Sequence, residues 1–359
     1  MNKLVLIGGG HAHLIFLREL LATPIPHEII LISADPYQYY SGMFSGFTEG
    51  LYGIDDIRIP IEKLCQENSV EFIVDTIIEV DPINKTAKGI SGQIYPFDVV
   101  SINIGSSISE LLDSTTIKSI KPNYQFPDII DQFRSGEKPV IIGGGSAGLE
   151  LALTTTAWRK NNNQEANVTL ISASRLLSSY GTKGSTKIRQ VAKRKGLEVI
   201  ENETVEHLQQ NVLTTKRNQR IEWSHLLSLT GPIPSPLFKE NELLKDEKGF
   251  LLVNSTLQHN EYPFVFGAGD CVTVEEYPLL PKNGVYAVRQ GHLLVKNLKA
   301  YLENQEKLLH FTPQKRFLSI LSTGNQEGLL TYGSFYFHGK ISWKIKHYID
   351  KQFMHSFHY

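Results

Sequence analysis

The sequence of 359 residues has little cysteine and almost no net charge. Its two cysteines, Cys65 and Cys271, lie far apart and outside any Cys-x-x-Cys motif, which argues against a disulfide of close neighbours and against a structural zinc site. The 36 basic and 37 acidic side chains leave a net charge of −1. A dedicated nucleic-acid binder carries a basic excess that displaces counterions from phosphates, so no nucleic-acid partner is predicted.

Long hydrophobic runs are also missing. No window approaches the roughly 18 consecutive apolar residues of a spanning helix, whereas attachment to a membrane surface stays open. The first ten residues hold one lysine and a short apolar run that ends in glycines, which predicts a strand rather than a signal peptide. We expect a cytoplasmic protein, free or at the inner face of the membrane. With 41% hydrophobic residues, the chain can build the cores of about two or three domains.

Two segments share one pattern, in which an apolar strand, a glycine cluster, a helix and a second apolar strand follow each other. The first segment runs from Leu4 to Ser33, with glycines from Gly8. The second runs from Pro139 to Ser172, with glycines from Gly143. Continuous apolar strands that alternate with helices are typical of parallel βαβ units. The pattern therefore predicts two dinucleotide-binding domains.

The glycine clusters match a phosphate-binding turn. The first glycine permits a tight turn, the second lets the backbone approach a pyrophosphate at the helix N-terminus, and the third allows close packing of helix on strand. The second cluster has all three glycines, Gly143, Gly145 and Gly148. The first cluster has Gly8 and Gly10 but places His13 at the third position.

An acid that binds the ribose is expected about 20 residues after the glycines. In the first unit Ser33 ends the strand and Asp35 follows. In the second unit the segment from Ser172 to Arg175 contains no acid. Arg175 either pairs with the 2′-phosphate of NADPH or is a solvated surface arginine. The sequence therefore predicts weak discrimination between NADH and NADPH.

The chain resembles the FAD-dependent pyridine nucleotide-disulfide oxidoreductase superfamily over nearly its whole length. The resemblance rests on the two glycine clusters, Glu150, Thr230-Gly231 and the segment 267–270, which occur in the order found in that superfamily. Within it, the chain is similar to type II NADH dehydrogenases, and most similar to the flavoprotein module found joined to selenide, water dikinase. The segments that suggest this narrower resemblance are 9–13, 40–43, 121–122, 282–291 and 349–354.

The resemblance implies an α/β fold with two Rossmann-like, three-layer (ββα/βα) dinucleotide-binding domains and a C-terminal α+β cap. The FAD-binding domain would be discontinuous, comprising residues 1–110 and 245–300. The NAD(P)H-binding domain, residues 111–244, would be inserted in it. Residues 301–359 would form the C-terminal domain and end in an amphipathic helix.

The same resemblance implies non-covalent FAD and either NADH or NADPH as substrate. In it, Ile77 offers its backbone to the adenine, Asp270 accepts a hydrogen bond from the ribityl chain, and Val285 and Tyr286 open a helix beside the flavin ring. The residues implied to contact FAD are Gly8, Gly10, His11, Ala12, Ser33, Asp35, Ser41, Gly42, Ile77, Gly105, Ser106, Gly269, Asp270, Val285 and Tyr286. Those implied to contact the nicotinamide nucleotide are Gly143, Gly145, Gly148, Ser172, Arg175 and Gly231.

Two residues are candidates for a catalytic role. Glu150, in the first turn of the second helix, would point toward the gap between flavin and nicotinamide and relay a proton or position the carboxamide. Its alternative is an acid that complements the helix dipole. Lys121 would approach the flavin, or lie exposed in a linker. His11 and His13 are expected to pack and hydrogen-bond around the cofactor rather than to act as acids or bases.

Other superfamily members pass electrons through paired cysteines, and this sequence has no such pair. The favoured function is therefore NAD(P)H oxidation through FAD to a small acceptor. Gly284-Val285 stands where type II dehydrogenases carry Ala-Gln, so a quinone and another small acceptor both stay open. Two other functions also stay open: a flavin-binding redox sensor without nicotinamide turnover, and a sulfur- or selenium-handling oxidoreductase. A homodimer stays open as well.

The C-terminal segment carries an apolar stripe at helical spacing, beside four lysines. The stripe predicts either an interfacial helix attracted to anionic lipid or a helix that packs on the FAD domain or a second subunit. Its residues are Ile341, Ile345, Tyr348, Ile349, Phe353 and Phe357.

Overall fold

The computed structural model describes residues 2–108, 117–239 and 241–357. The predicted boundary between the first and second domains, at residues 110 and 111, lies outside them. The described part contains nine α-helices: α1 His11–Leu20, α2 Phe44–Glu49, α3 Ile54–Ile57, α4 Ile61–Glu67, α5 Phe126–Ser135, α6 Ser146–Asn161, α7 Gly181–Lys195, α8 Gly284–Leu302 and α9 Lys340–His355.

The strands alternate with these helices in the first two thirds of the chain and dominate between α8 and α9. They are β1 Lys3–Ile7, β2 Glu28–Ser33, β3 Tyr37–Tyr39, β4 Arg58–Pro60, β5 Glu71–Val74, β6 Ile77–Asp81, β7 Thr86–Gly89, β8 Ile94–Pro96, β9 Val99–Ile102, β10 Ser107–Ile108, β11 Ile117–Lys118, β12 Pro139–Ile142, β13 Thr169–Ser172, β14 Glu198–Glu201, β15 Val205–Gln209, β16 Val212–Thr215, β17 Arg220–Glu222, β18 His225–Ser228, β19 Pro232–Ile233, β20 Leu251–Val253, β21 Val265–Gly267, β22 Val272–Val274, β23 Ser319–Gly324, β24 Glu327–Tyr332 and β25 Phe335–Gly339.

The first sheet is parallel and has the order β21-β9-β1-β2-β5. Its central strand β1 pairs Val5 with Ile30 on one side and with Val100 on the other. All three side chains are buried, as expected in the interior of a parallel sheet. β21 comes from the later part of the chain and completes this sheet at one edge, so the sheet combines strands from both parts of the chain that were predicted to form the FAD domain.

The second sheet is also parallel, with the order β11-β18-β12-β13-β14. All its strands lie between residues 117 and 228. In both sheets, the strand that precedes a glycine cluster lies in the interior of the sheet, so both glycine turns emerge at the carboxyl edge. Ligands of α/β sheets bind at this edge.

Smaller antiparallel sheets surround the two parallel ones. β6, β7 and β8 form one meander, β15, β16 and β17 another, and β23, β24 and β25 the C-terminal sheet. The C-terminal sheet packs closely on the second domain, where a Cβ on Gly324 would lie 2.7 Å from the Cβ of Ala157 in α6. The same sheet supports α9.

The orientation of α9 corrects the prediction of one continuous apolar stripe. The first four stripe residues, Ile341, Ile345, Tyr348 and Ile349, are exposed, whereas Phe357 is buried and Phe353 is half-buried. The inward face carries the buried side chains of Ser342, Asp350 and Met354. The stripe divides because the end of α9 meets the FAD domain, where Arg18 donates to Ser356 Oγ at 3.0 Å. None of the helices described is long and apolar enough to cross a membrane.

Candidate active site

Asn103 holds the first glycine turn together. Its Oδ1 accepts hydrogen bonds from the backbone N–H groups of Ala12 (3.0 Å) and His13 (3.3 Å), and its Nδ2 donates to the carbonyl of Ala268 (2.5 Å). A Cβ on Gly10 would lie 2.3 Å from Asn103 Oδ1, so only glycine fits there. Gly8 has φ +91°, a conformation that favours glycine. Both predicted glycines are therefore required by the backbone.

Sequence reasoning missed Asn103 as a functional residue. The signal was a single amide at the end of an otherwise apolar strand, two residues before Gly105. A polar side chain at the carboxyl edge of an interior strand can reach the neighbouring turns. Here it joins the turn after β1 to the loop after β21.

His13 fills the place of the missing third glycine. Its Nδ1 bonds the carbonyl oxygen of Gly8 at 2.6 Å, and its Nε2 lies 2.9 Å from Ser101 Oγ. Because a carbonyl only accepts, Nδ1 carries the proton and Nε2 accepts from the serine hydroxyl. Burial lowers the pKa of His13 to about 4, so the ring is neutral. This agrees with the expected packing and hydrogen-bonding role.

Asp270 and Lys121 meet near the end of β9. Lys121 Nζ lies 3.7 Å from Asp270 Oδ2 and donates to Ser106 Oγ. Burial lowers the pKa of Lys121, and Asp270 opposes that shift. The side chain of Lys121 is 25% exposed, so the alternative of an exposed linker lysine is wrong. The structure thus brings together three of the predicted residues from three distant segments.

The residues after β21 form a second tight turn. Gly269 has φ +80°, and a Cβ there would lie 2.6 Å from Asn103 Nδ2. Its N–H donates to Gln290 Oε1 in α8 at 2.6 Å. α8 begins at Gly284 as predicted, with Asn283 Oδ1 accepting from the N–H of Tyr286 at 3.2 Å.

Val285 and Tyr286 differ in exposure. Tyr286 is buried, and Val285 is 36% exposed. Of the two, Val285 is therefore the more exposed at the amino end of α8. Lys282, just before this helix, donates to the carbonyl of Val272 at 2.6 Å and lies over the ring of Phe250.

The predicted ribose residues of the first unit lie at the carboxyl end of β2. Ser33 ends the strand, and its Oγ lies 3.3 Å from where a Cβ on Gly9 would be. The side chain of Asp35 forms a hydrogen bond within its own loop, in which its Oδ1 accepts from the N–H of Tyr37 at 2.8 Å. The next strand outward ends before Asp75, whose N–H donates to the carbonyl of Ser33 at 3.0 Å, and Ile77 opens β6 shortly after.

The segment around Ser41 and Gly42 contacts α9. Tyr40 stacks on Phe353 with ring centroids 4.4 Å apart, and His11 lies within 5.8 Å of Phe353 and 5.6 Å of Tyr40. The carbonyl of Gly42 accepts a hydrogen bond from Lys346 Nζ. The C-terminal helix therefore closes one side of the first glycine turn.

The second glycine turn has a geometry that is compatible with the three predicted roles. Gly143 has φ +128°, and a Cβ there would lie 2.2 Å from the carbonyl oxygen of Leu229. A Cβ on Gly148 would lie 1.9 Å from the carbonyl oxygen of Gly143, which is the close packing expected of a third glycine. Gly145 faces open space, and Gly231, at φ +118°, does the same.

Ser172 and Arg175 flank the loop after β13. Ser172 is buried and Arg175 is exposed. The structure adds an acid that the glycine motif does not indicate: Glu201, at the end of β14, pairs with Ser172 across the two strands. Its carboxylate accepts from the N–H of Leu176 at 2.7 Å.

Glu150 faces the C-terminal domain. Its Oε1 accepts from the backbone N–H of Ser322 at 2.6 Å, and its carboxylate also interacts with Ser45 and the ammonium group of Lys346. Burial raises the pKa of Glu150, although Lys346 acts against that shift. Its predicted direction toward the flavin and nicotinamide stays a prediction.

Lys346 lies at the centre of a charged cluster that sequence reasoning did not single out. Its Nζ donates to Asp350 Oδ2 at 2.7 Å, and Tyr40 donates to Asp350 Oδ1 at 3.2 Å. Burial acts to lower the pKa of Lys346, but the carboxylates of Asp350 and Glu150 outweigh it and raise the pKa. We call Glu150, Lys346, Asp350 and Tyr40 the charged cluster.

Neither cysteine is placed for redox chemistry. Cys65 and Cys271 are both free and fully buried. Burial raises the pKa of the Cys65 thiol to about 12 and that of Cys271 to about 11. A reactive thiol needs a lowered pKa and access to solvent. Cys65 is a buried residue of helix α4.

The site fits two dinucleotides. A Cβ placed on Gly105, Gly145, Gly231 or Gly284 would meet no other atom within 4 Å, so open space lies along the carboxyl edges of both sheets. Helix N-termini at α1 and α6 begin directly after the glycine turns, where they stabilise phosphates. The residues of the first turn fit FAD, and those of the second fit a nicotinamide nucleotide.

Comparison with known proteins identifies the family. The pattern of the pyridine nucleotide-disulphide oxidoreductases matches residues 2–291. The chain belongs to this family. It is similar to a probable NADH dehydrogenase of Dictyostelium discoideum, at 23% identity over 96% of this chain and 84% of that protein.

Solved structures show the same fold. The sulfide:quinone oxidoreductase of Aquifex aeolicus superposes with a TM-score of 0.83 at 18% identity, covering 99% of this chain and 91% of that one. The water-forming NADH oxidase of Lactobacillus brevis, bound to NADH, superposes with a TM-score of 0.77 at 19% identity, covering 92% of this chain and 75% of that one.

The family match confirms several predictions from the sequence. The superfamily, the α/β fold of two dinucleotide-binding domains, the cofactors FAD and NAD(P)H, and the class of FAD-dependent NAD(P)H oxidoreductase are confirmed. The narrower resemblance to the module joined to selenide, water dikinase stays a prediction.

Proposed function

We propose that this oxidoreductase passes electrons from NADH or NADPH through FAD to a quinone-type acceptor that takes two electrons and two protons. Overall, NAD(P)H, a proton and the quinone give NAD(P)⁺ and the quinol. Bound FAD supplies the acceptance and release of the electron pair. The observation that carries the proposal is the charged cluster, which joins α6, the Tyr40 segment and α9.

The charged cluster is suited to supply protons. Burial raises the pKa of Glu150 and of Asp350, so each carboxyl group holds a proton more readily than one in solvent. Lys346 links them, because it donates to Asp350 and interacts with Glu150. A general acid works best when its pKa lies near the working pH. In this proposal Glu150 protonates the reduced acceptor, and Lys346 positions Glu150.

The first glycine turn and its neighbours hold the FAD. In the proposal, the amide groups at the start of α1 face the pyrophosphate, and Asp270 accepts from the ribityl chain. Lys121 orients Asp270 through the contact at 3.7 Å. Val285, at the start of α8, would contact the flavin, where the helix dipole would stabilise negative charge.

The buried thiols support a mechanism without cysteine. A sulfur- or selenium-handling reaction through a cysteine would need Cys65 or Cys271 at the surface of the site, and both are fully buried. The sensor alternative makes a different prediction, namely that neither NADH nor NADPH bleaches the flavin.

The test compares an acceptor that takes up protons with one that takes up electrons alone. The purified holoenzyme is reduced anaerobically with NADH and mixed with a short-chain quinone or with ferricyanide, which takes electrons without protons. Lys346→Met and Glu150→Gln should slow quinone reduction at least tenfold, about 1.4 kcal/mol, and leave ferricyanide reduction nearly unchanged. The exposed Lys344→Met is the matched control. Equal slowing with both acceptors would contradict the proposed role of the cluster.

We also propose that the exposed apolar face of the C-terminal domain contacts anionic membrane. β24 and β25 pair Tyr332 with Phe335 and Leu330 with Phe337, so these side chains share one face of the sheet. Tyr332, Phe335 and Phe337 are exposed.

The exposed side of α9 continues this apolar surface. α9 follows β25 directly, and its first turn is tied back by Ser342 Oγ, which donates to the carbonyl of Phe337 at 3.1 Å. Ile341, Ile345, Tyr348 and Ile349 point away from the protein, with Lys340 and Lys344 exposed beside them. Apolar side chains flanked by lysines suit a lipid surface that carries negative charge.

A further inference from the structure

The nicotinamide domain has an acid at the ribose end of its glycine turn, although its own strand end has none. Ser172 and Glu201 are the last residues of β13 and β14, and they pair directly across the parallel strands. Both therefore lie at the carboxyl edge, on the same side as Gly143 to Gly148. Glu201 follows Ser172 by almost thirty residues in sequence, so the spacing rule of the glycine motif does not predict this acid.

Glu201 is held firmly in place. Its side chain is 8% exposed, its Oε1 accepts from the N–H of Leu176 at 2.7 Å, and its Oε2 pairs with Arg189 of α7. The loop that it binds is itself tied to the glycine turn, because the N–H of Leu177 donates to the carbonyl of Gly144 at 3.0 Å. Such contacts fix the carboxylate relative to the phosphate-binding turn.

One arginine pairs with this carboxylate, and a second precedes Leu176, whose N–H the carboxylate binds. Arg189 is 57% exposed on its side chain, and Arg175 is exposed in the loop after Ser172. Without Glu201, the unpaired guanidinium group of Arg189 would be free to attract a phosphate, which arginine binds well. With Glu201 in place, the charge of Arg189 is compensated by a neighbouring carboxylate.

We infer that Glu201 determines the choice of nicotinamide and makes the protein select NADH over NADPH. A carboxylate has about four acceptor positions, so Glu201 can accept from a ribose hydroxyl besides Leu176 and Arg189. The 2′-phosphate of NADPH has no hydroxyl to donate and brings a second negative charge to the same place. This inference rests on nicotinamide binding at the second glycine turn. It replaces the weak discrimination predicted from Ser172 and Arg175 alone.

The test measures binding to the oxidised holoenzyme by calorimetric titration with NAD⁺ and with NADP⁺. We expect the wild-type protein to bind NAD⁺ at least about tenfold more tightly, and Glu201→Gln to reduce that ratio about tenfold, mainly through tighter NADP⁺ binding. Glu201→Asp, which keeps the charge, should retain the preference. Glu198→Gln, on the same strand but at its other end, is the matched control and should leave the ratio unchanged.

The outcomes distinguish a failure of the role proposed for Glu201 from a failure of the nicotinamide site itself. Equal binding of NAD⁺ and NADP⁺ by the wild-type protein, or an unchanged ratio in Glu201→Gln, would overturn the role of Glu201 alone. Binding of neither nucleotide would overturn it together with the nicotinamide site. If Glu201→Gln does not fold, Arg189→Gln decides: weaker NADP⁺ binding with unchanged NAD⁺ binding supports the inference, and unchanged NADP⁺ binding overturns it.

Discussion

The imidazole of His13 hydrogen-bonds the carbonyl oxygen of Gly8 at 2.6 Å, so a histidine occupies the place where the glycine pattern expects a third glycine. A third glycine allows a helix to pack directly on the strand. In this protein the ring instead fills the gap and joins the turn to Ser101 of β9. The contact ties helix α1 to two strands of the first sheet.

This histidine should make stability depend on pH. The pKa of His13 is about 4 in the folded protein and about 6.5 in the unfolded chain. Between these values the unfolded chain binds more protons, so the free energy of unfolding should fall by up to about 3 kcal/mol as pH drops from about 6.5 to about 4. Denaturant unfolding of the FAD-saturated protein across this pH range measures the change in the free energy of unfolding. His13→Asn keeps a donor toward Gly8 without titrating and should lose most of the slope; an identical slope in both proteins would contradict the prediction.

Asn103 should be essential for the first glycine turn. Asn103→Ala leaves two backbone N–H groups without their partner in a buried site and removes the amide donor to the carbonyl of Ala268. We expect a loss of about 2–4 kcal/mol in unfolding free energy and weaker retention of FAD. Urea unfolding and flavin content after gel filtration check both. Asn84→Ala, on an exposed hairpin, serves as control, and the prediction fails if both variants behave alike.

Asp270 should contribute directly to FAD binding. Asp270→Ala removes the acceptor proposed for the ribityl chain, a charge-assisted hydrogen bond of about 1.5–3 kcal/mol, so FAD should be retained at least tenfold more weakly. The flavin should leave the protein on heating or in acid, because its binding is non-covalent. Dialysis followed by absorbance measures occupancy, with Asp55→Ala as a surface control. Unchanged occupancy would argue that Asp270 only orients Lys121.

The cysteines should be dispensable for electron transfer. Cys65→Ala and Cys271→Ala should each keep flavin reduction by NADH within a few-fold of the wild type, since both thiols are buried with a raised pKa. A thiol reagent should label neither cysteine until the protein unfolds. A Cys271→Ala protein that keeps FAD but no longer reduces it would show that a thiol takes part.

The outward face of α9 should bind anionic vesicles. Ile345→Glu with Tyr348→Glu places two acids on the exposed stripe, far from the buried face that holds Lys346 and Asp350. We expect flotation with phosphatidylglycerol vesicles to fall at least tenfold, and wild-type binding to weaken at high salt. Ile90→Glu, at a position that is 70% exposed elsewhere, is the control. Salt-independent flotation, or none in the wild type, would contradict a lipid contact.

Truncation at Gly339 tests the inward face of the same helix. Phe353 stacks on Tyr40, and Ser356 accepts from Arg18, so removing α9 uncovers the first glycine turn. We expect the truncated chain to lose FAD more readily than the doubly substituted one, as flavin absorbance after gel filtration would show. Full retention of FAD by the truncated chain would indicate that α9 does not contribute to FAD binding.

Local sequence determined the elements and the dinucleotide-binding turns. Apolar strands followed by glycines specify a βαβ unit within about thirty residues, and positive φ at Gly8 and Gly143 excludes most other residues. The start of α8 at Gly284 also follows from a local signal, the capping side chain of Asn283. Such features depend on neighbours in the chain, so a single sequence reveals them.

Tertiary structure alone decided which distant side chains meet. Asn103 reaches Ala12 and Ala268 because β9 lies between β1 and β21, and Glu201 lies beside Ser172 because β14 pairs with β13 in parallel register. α9 shows the same dependence most clearly. Its sequence predicts an apolar stripe, but the carboxylate of Glu150 and the carbonyl group of Gly42, which Lys346 meets in other segments, turn the charged side inward and leave Ile345 in solvent. Helical periodicity gives the two faces of a helix, and the energy of the contacts across the fold decides which one is buried.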